Sequence, residues 1–500
     1  MSINIQRGKI KKAPAPELIK YIFKPAIEAE LHAYLPILEV NRAHVLMLEK
    51  QGIIKSETAS AILSATEQIE QEESKPSFKI DPNIEDIYLN LERYLSELTS
   101  PEIGGQQHTA RSRNDLKATT LRMQTRDSYL KLCELFLKLR STILLRAEEN
   151  LDTVMAGITH MQPSEPITFA HYLSGILSAL ERDYMRLAAV WEKLNESPLG
   201  AGSMGSTSFP IDRDFEAELL GFNKPMRNSI DCVASRDYAV ELVFALGLVA
   251  CTLSRLGQDL YNWSTPEYAY IEVDDSCAGC SSIMPQKKNP ITLEHLKAKA
   301  SHLEGILISM FTSMKSVIFT HTRDVGKEST HFLSDALKEM EADFELANVT
   351  MATLDVKRDH MYERARRNFC TVTELANLLV RNEGIPFREA HEIVADAVGT
   401  LCEEKKDCMA LDKELLDSVS LKVLGKPSNL TQELIDEALD PRRVVFEKRI
   451  KGGTAPEEVS RQLVEIRENL ERDTVTLEER REKITESRRH LHELVHSKLI

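Results

Sequence analysis

The sequence predicts an all-α protein with a central bundle of long helices. Glycine and proline account for only 20 and 19 of the 500 residues, so few residues interrupt a helix. Apolar residues recur with helical periodicity, and the alternating patterns typical of strands are almost missing. Five predicted helices have lengths that suit a bundle core; they cover residues 115–150, 168–195, 235–263, 290–314 and 330–354.

The rest of the chain predicts shorter helices on either side of this bundle, including 25–51 and 56–71. Gly384 and Pro386 mark a loop in the part that follows the bundle. The last segment is highly charged and predicts a helical extension with a solvated face. We therefore expect an N-terminal helical domain, a bundle domain, a small C-terminal helical domain and a charged helical extension: 1–114, 115–365, 366–454 and 455–500.

The net charge of −15 indicates that nucleic acid is not the partner, because neutralising phosphates takes an excess of Lys and Arg. The same charge repels acidic small molecules. The binding site of an anionic substrate must therefore gather local cations and helix N-termini.

Composition predicts a cytoplasmic protein that does not cross a membrane. Residues 1–25 lack the apolar core of a signal peptide. The most apolar stretch, 239–253, contains Glu241 and is shorter than the roughly 18 to 20 residues of a span. The eight cysteines suit a reducing compartment, and the Cys277–Cys280 pair has no second pair at zinc-ligand spacing.

Three polar loops precede predicted helices: loop 1 (104–115), loop 2 (157–166) and loop 3 (278–290). In loop 1, Arg111 and Arg113 lie beside a helix start, which fits a carboxylate site or an ordinary capped helix with solvated arginines. In loop 2, His160 follows Thr159 in a segment stiffened by two prolines, so it is either structural or a proton shuttle.

Loop 3 combines paired serines with paired lysines: Ser281, Ser282, Lys287 and Lys288. Asparagine at the helix cap and proline at the first helical position explain the Asn289–Pro290 end as turn chemistry. A serine that removes a proton from carbon needs nearby cations, and Lys287 is spaced to supply one. Together the three loops offer what a dicarboxylate with an acidic Cβ–H requires.

The motif SSIMPQKKNP at 281–290 resembles the signature loop of the fumarase/aspartase superfamily, and its QKKN ending resembles the argininosuccinate lyase family in particular. HTARSRND at 108–115 and THMQ at 159–162 resemble the other two conserved blocks of that family, in the expected order. Weaker similarity extends from about residue 25 to residue 453.

This resemblance implies a three-domain helical subunit, a homotetramer whose bundles assemble together, and active sites that each take their three loops from three subunits. By position, Ser281 resembles the catalytic base and His160, oriented by Glu294, its partner in proton transfer. Lys287 and Asn289 resemble the residues that hold the carboxylates and the aci-carboxylate intermediate. The fumaroyl half of the substrate would be bound by Ser112, Arg113, Asn114 and Thr159. Neither a metal nor an organic cofactor is implied.

The sequence departs from that family mainly where the amino-acid half of the substrate binds. The family tends to have tyrosine, glutamine and lysine at the positions of His321, Gly326 and Ser329. It also tends to differ at Ala26, Glu30, Tyr88, Ala110, Glu165 and Cys280. We therefore expect a carbon–nitrogen lyase that releases fumarate from an N-succinyl amino acid or amine other than argininosuccinate, with His321 facing the amine. Argininosuccinate lyase itself and a structural protein on the same fold are the alternatives.

Overall fold

The computed structural model describes residues 12–31, 34–71 and 80–499, most of which are helical. Six helices in this part of the chain exceed 20 residues: α1 Arg113–Glu148, α2 Phe169–Leu194, α3 Asp237–Trp263, α4 Ile291–Met314, α5 Leu333–Thr353 and α6 Pro456–Ser497. The first five confirm the predicted long helices to within three residues at each end. The all-α fold class is confirmed.

Shorter helices surround them. They are Pro16–Leu18, Lys24–Glu30, Tyr34–Lys50, Ser56–Glu70, Ile87–Leu98, Pro101–Gly104, Arg213–Leu219, Ser229–Ala234, Arg323–Gly326, Arg358–Arg367, Val372–Glu383, Phe387–Glu403, Lys413–Leu424, Gln432–Leu439 and Pro441–Glu447. The predicted helix 25–51 corresponds to two of these, and its residues 32–33 lie outside the described part.

Four small two-stranded sheets were not predicted. The largest is the antiparallel hairpin of β1 Val154–Thr159 and β2 Gln162–Thr168. The others pair Glu196–Ser197 with Lys224–Pro225, Ile271–Glu272 with Asp355–Val356, and Gly279–Cys280 with Lys288–Asn289.

The long helices α1 to α5 alternate in direction along the chain, so the bundle has two distinct ends. Near the start of α1, Arg122 donates to the carbonyl of Lys193 at the end of α2, at 2.5 Å. Near the start of α2, Tyr172 donates to Asp259 close to the end of α3, at 2.8 Å. We call the end where α1 begins end A, and the opposite end, where α2 begins, end B.

The apolar side chains form three large clusters. The largest fills the bundle and includes all six long helices. A second joins the N-terminal helices to the start of α1, the 199–222 segment and the end of α6. A third lies within residues 375–439. The predicted domain boundaries stay a prediction.

Helix α6 does not extend away from the protein. Its apolar residues Val459, Leu463, Ile466, Leu470, Leu477 and Ile484 are buried in the bundle cluster. Its charged residues bind α1 along its length, as Asp473 does with Arg140 at 2.6 Å and Arg488 with Asp127 at 2.7 Å. The alternating charges predicted a solvated face, and that face lies opposite a buried stripe.

Helix α3 is longer than the apolar stretch in the sequence indicated. Its 27 residues are apolar enough and long enough to cross a membrane by length and composition. In the structure it packs between α2 and α4, and 14 of its side chains, including Leu246, Val249 and Leu253, are buried. The inference that this segment is too short to cross a membrane was wrong, whereas the prediction of a core helix agrees with this packing.

Candidate active site

Loop 1 lies at end A and caps α1. The Ser112 side chain accepts from the Asn114 backbone N–H at 3.2 Å, and the Asp115 carboxylate accepts from the Ser112 N–H at 3.0 Å. This reciprocal pair satisfies the free N–H groups of the first turn. The Asn114 side chain donates to the carbonyl of Ser203 at 3.1 Å.

Both arginines of loop 1 bind groups of their own chain. Arg113 forms ion pairs with Glu85 at 3.1 Å and with Asp86 at 2.7 Å. Arg111 is buried and donates to the Asn41 side chain at 2.7 Å. Arg113, predicted to bind the substrate, thus binds two carboxylates of its own chain, which the sequence analysis did not identify.

Hydrogen bonds from polar groups in the protein interior hold loop 1 in place. His44 binds Glu216 through Nδ1 at 2.5 Å, and its Nε2 donates to the carbonyl of Thr109 at 2.8 Å. His108 lies 2.7 Å from the hydroxyl of Tyr88, and its pKa is lowered to about 4 by burial and by Arg111. These groups fix the backbone that presents Ser112 to Asn114. Loop propensities gave no signal for His44, Glu216 and Tyr88, because these residues come from helices distant in the sequence.

Loop 2 is the turn of the β1–β2 hairpin at end B. Thr159 pairs with Gln162, and the two turn residues His160 and Met161 have positive φ values of 54° and 59°. A two-residue turn of this shape suits the twist of a hairpin, yet residues other than glycine rarely adopt it. The side chains of Thr159 and His160 are exposed. The predicted stiff loop is therefore a hairpin tip.

Loop 3 also lies at end B, between short strands. The Ser281 hydroxyl oxygen accepts from the backbone N–H groups of Met284 at 3.0 Å and of Ile283 at 3.4 Å. Two donors on this oxygen favour an alkoxide over the hydroxyl, which suits a base. Lys288 forms ion pairs with Glu272 at 3.1 Å and with Asp275 at 2.7 Å. The side chain of the preceding residue, Lys287, is exposed.

The predicted cap of α4 was wrong. Asn289 lies in the strand pair, and Pro290 occupies the cap position itself, without a side-chain cap bond. Proline at this position places the first helical residue at Ile291, because its own ψ of 64° is not helical.

A pocket of about 820 Å³ lies beside loop 3 at the start of α4. Its walls include Lys287, Asn289 and Glu294, three of the predicted site residues, together with Lys357 and His360. Glu294 lies in the first turn of α4 and is exposed. No hydrogen bond or ion pair among the described residues joins His160 to Ser281 or to Glu294.

His321 belongs to end A. The neighbouring Thr320 hydroxyl contacts Met204, which follows the Ser203 that binds Asn114. Arg323 forms an ion pair with Glu85, the partner of Arg113. The structure thus groups His321 with Ser112, Arg113 and Asn114.

The length of α1 separates the two groups of site residues within one chain. Its 36 residues span about 54 Å. Thr159 lies eleven residues beyond the end of α1, a segment that reaches at most about 38 Å. Loop 1 and loop 2 of one chain therefore stay at least about 15 Å apart. Loop 3 shares end B with loop 2.

Two of the three divergent positions, His321 and Gly326, lie in direct contact, and Ser329 follows them in the next short helix. A Cβ atom added at Gly326 would lie 2.7 Å from Cε1 of His321. The Ser329 side chain is buried, and its hydroxyl donates to the carbonyl of Val325 at 2.7 Å. Within residues 12–31, 34–71 and 80–499, no group of three or more His, Cys, Asp or Glu side chains could hold a metal ion.

A long-helix bundle with these three loops defines a lyase of the fumarase/aspartase superfamily, and comparisons with known proteins identify it as a carbon–nitrogen lyase. The sequence model of a lyase family matches residues 34–305, and that of the argininosuccinate lyase C-terminal region matches 369–446. The chain is 44% identical to argininosuccinate lyase 1 of Shouchella clausii over 467 residues, covering 93% of this chain and 94% of that protein. It is 36% identical to argininosuccinate lyase of Methanocaldococcus jannaschii, covering 96% and 97%.

Among solved structures, EDDS lyase in complex with formate superposes with a TM-score of 0.87 at 31% identity, covering 99% of this chain and 98% of that one. A variant of EDDS lyase with bound fumarate gives the same values. A fumarate lyase from Mesorhizobium, at 21% identity and a TM-score of 0.70 over 87% of this chain and 97% of that one, shares the fold. The chain belongs to the argininosuccinate lyase family of the fumarase/aspartase superfamily. The predicted family is confirmed.

Proposed function

We propose that the protein releases fumarate from an N-succinyl amino compound other than argininosuccinate. N-succinyl here means that the amine nitrogen is bonded to carbon 2 of succinate. The observation that carries the proposal is the packing of His321 against Gly326. A glutamine at position 326, as the family tends to have, would collide with the imidazole. The Ser329 hydroxyl is occupied by a backbone carbonyl, so it does not replace a lysine that binds substrate.

The chemistry follows from the residues that the family resemblance assigns. Ser281 removes the Cβ proton, and the electron pair moves into the adjacent carboxylate, which Lys287 and Asn289 stabilise. The C–N bond then breaks as the C=C bond of fumarate forms. The departing nitrogen takes a proton from His160, which Glu294 orients. Ser112, Asn114 and Thr159 donate to the carboxylates of the succinyl half.

We propose further that the site is completed by several subunits of a cytoplasmic homotetramer. The separation of loop 1 from loops 2 and 3 supports this arrangement, because Ser281 and Asn114 of one chain lie at opposite ends of the bundle. Exposed apolar side chains on the long helices support it as well. Met185 on α2, Phe244 on α3 and Ile308 on α4 are 65%, 50% and 62% exposed in the single chain.

Argininosuccinate remains the second candidate substrate, because the relative with 44% identity is named argininosuccinate lyase 1. The two candidates differ in what the amine side must bind. Buried polar groups built for one amino acid reject others by up to about 10⁴-fold. The residues at 321, 326 and 329 therefore decide between them.

The experiment is a measurement of kcat/KM from fumarate absorbance with argininosuccinate and with a panel of N-succinyl amino acids and diamines. We expect fumarate from at least one panel member and little from argininosuccinate. A value for argininosuccinate within the roughly 10⁴ to 10⁸ M⁻¹s⁻¹ of a true substrate would establish the second candidate. A matched Ser281→Ala preparation measures the background, and a lack of turnover of both argininosuccinate and every panel member refutes both candidates.

A further inference from the structure

The surroundings of His321 at end A form a cationic cluster, which we define as His321, Arg236, Lys117, Arg323 and Lys327. Arg236 is only 2% exposed, and its Nη1 donates to the carbonyl of Ser235 at 2.6 Å. Its Nε and the His321 Nδ1 are buried polar atoms without a hydrogen-bond partner among the described residues. Buried polar atoms are normally paired, so these two indicate a ligand.

The carboxylates nearby do not neutralise this cluster. Three form ion pairs here, Glu30, Glu85 and Asp86, whereas Asp237 and Glu328 act on Arg236 and Lys327 only from beyond ion-pair distance. Lys117 binds Glu30 at 3.1 Å and Asp86 at 2.9 Å. Arg323 binds Glu85, which Arg113 also holds. In the described part of the chain no carboxylate lies within ion-pair distance of Arg236 or Lys327.

The charged side chains that act most strongly on His321 are cations. Burial lowers the pKa of His321, and Arg236, Arg323 and Lys117 lower it further. Burial also lowers the pKa of Lys327, a half-buried side chain near Glu30 and Lys117. An anion near this imidazole would be attracted, whereas an ammonium or guanidinium group would be repelled.

We propose that the leaving amine carries an acidic side chain, whose carboxylate binds at the His321 cluster with Lys327 and Arg236 as its cationic partners. This inference rests on the proposed function and narrows its substrate class to N-succinyl derivatives of acidic amino acids. The succinyl half is bound by loops 1 to 3, which leaves the charges of Arg236 and Lys327 for the amine half. The products are then fumarate and an acidic amino acid.

The test compares N-succinyl derivatives of glutamate, alanine and putrescine, whose leaving amines carry two, one and no carboxylates. We expect kcat/KM to fall in that order. Lys327→Gln should lower kcat/KM for the glutamate derivative by about 10- to 100-fold, the worth of one charge-assisted hydrogen bond, and for the putrescine derivative by less than about 3-fold. Lys327→Arg should restore most of the loss. Lys338→Gln, an exposed lysine of α5, is the matched control.

Two outcomes overturn the inference while leaving fumarate release intact. One is that the putrescine derivative or argininosuccinate is the best substrate. The other is that Lys327→Gln weakens all panel members and inhibition by fumarate equally, since Lys327 would then hold the succinyl half. A lack of fumarate from every compound would instead refute the proposed function itself.

Discussion

Mixing inactive variants tests whether the loops at the two ends of the bundle meet only between chains. In one chain, α1 holds Asn114 and Ser281 at opposite ends, so in the proposed oligomer each site takes loop 1 and loop 3 from different subunits. Ser281→Ala and Asn114→Ala chains should each be almost inactive alone. In random 1:1 oligomers, a site is intact when the chain that gives loop 3 has Ser281 and the chain that gives loop 1 has Asn114. Each condition has a probability of one half, so the mixture should recover about a quarter of wild-type activity.

A second pair decides whether two or three chains build the site. Ser281 and His160 both lie at end B, and the family resemblance places them on different subunits. If Ser281 and His160 of one site do come from different subunits, a mixture of Ser281→Ala and His160→Asn chains also recovers about a quarter of wild-type activity. If both residues come from one chain, that mixture recovers nothing.

The matched control is Ser281→Ala mixed with Lys287→Ala. Both changes lie in loop 3, so every site carries one of them and no activity returns. The chains are co-expressed at equal levels with a common tag, and native mass spectrometry confirms that mixed oligomers form. Fumarate release is then measured. Mixed oligomers of the Ser281→Ala and Asn114→Ala chains without activity would refute the separation argued from α1.

Three further outcomes follow from individual side chains. Ser281→Ala should lower kcat by at least about 10²-fold with little change in KM, whereas Ser282→Ala serves as the neighbouring control; near-normal turnover would remove Ser281 as the base. Asp343 is fully buried, neither carboxylate oxygen has a hydrogen-bond partner among the described residues, and burial raises its pKa to about 8. The contribution of Asp343 to stability is therefore full below the unfolded pKa of 3.8 and is lost as pH rises towards 8. Relative to the wild type, the Asp343→Asn protein should therefore become more stable by up to about 5 kcal/mol, or about 5 °C in apparent Tm, as the pH is raised from 4 to 8. Parallel Tm curves for the two proteins would contradict this, and Asp335→Asn on the exposed side of α5 is the control. Ala110 has a φ of 63°, so Ala110→Gly should raise the apparent Tm by up to about 1 °C and Ala110→Val should lower it in the same thermal scan.

The long helices could be predicted because their signal is local. Few breakers interrupt them, and caps such as Ser112 lie next to the residues that they satisfy. The β1–β2 hairpin was missed for the opposite reason. Pro163 and Pro166 look like loop residues, yet they pair opposite Ile158 and Ala156 in the structure. Proline is tolerated there because the second strand lies at an edge.

The site residues could be placed on their loops but not in space. The partners of Arg113 are Glu85 and Asp86, which precede another helix, and no local pattern links the two segments. The same holds for His321, whose contact with Gly326 depends on the turn between them. Sequence motifs predicted the chemistry, whereas the ends of the bundle at which the loops lie became clear only from helix lengths and directions.

The second apolar cluster joins side chains from opposite parts of the sequence. Leu491 and Val495 of α6 pack with the helix Tyr34–Lys50, and Lys498 binds Glu49 at 2.7 Å. The ribosome makes Leu491 about 440 residues after Lys50, an interval of roughly 20 to 90 s at typical rates of synthesis. Part of the apolar surface of the N-terminal helices therefore stays exposed to solvent until most of the chain has been synthesised. Truncations within the last turns of α6 should accordingly cause misfolding that begins near residue 34.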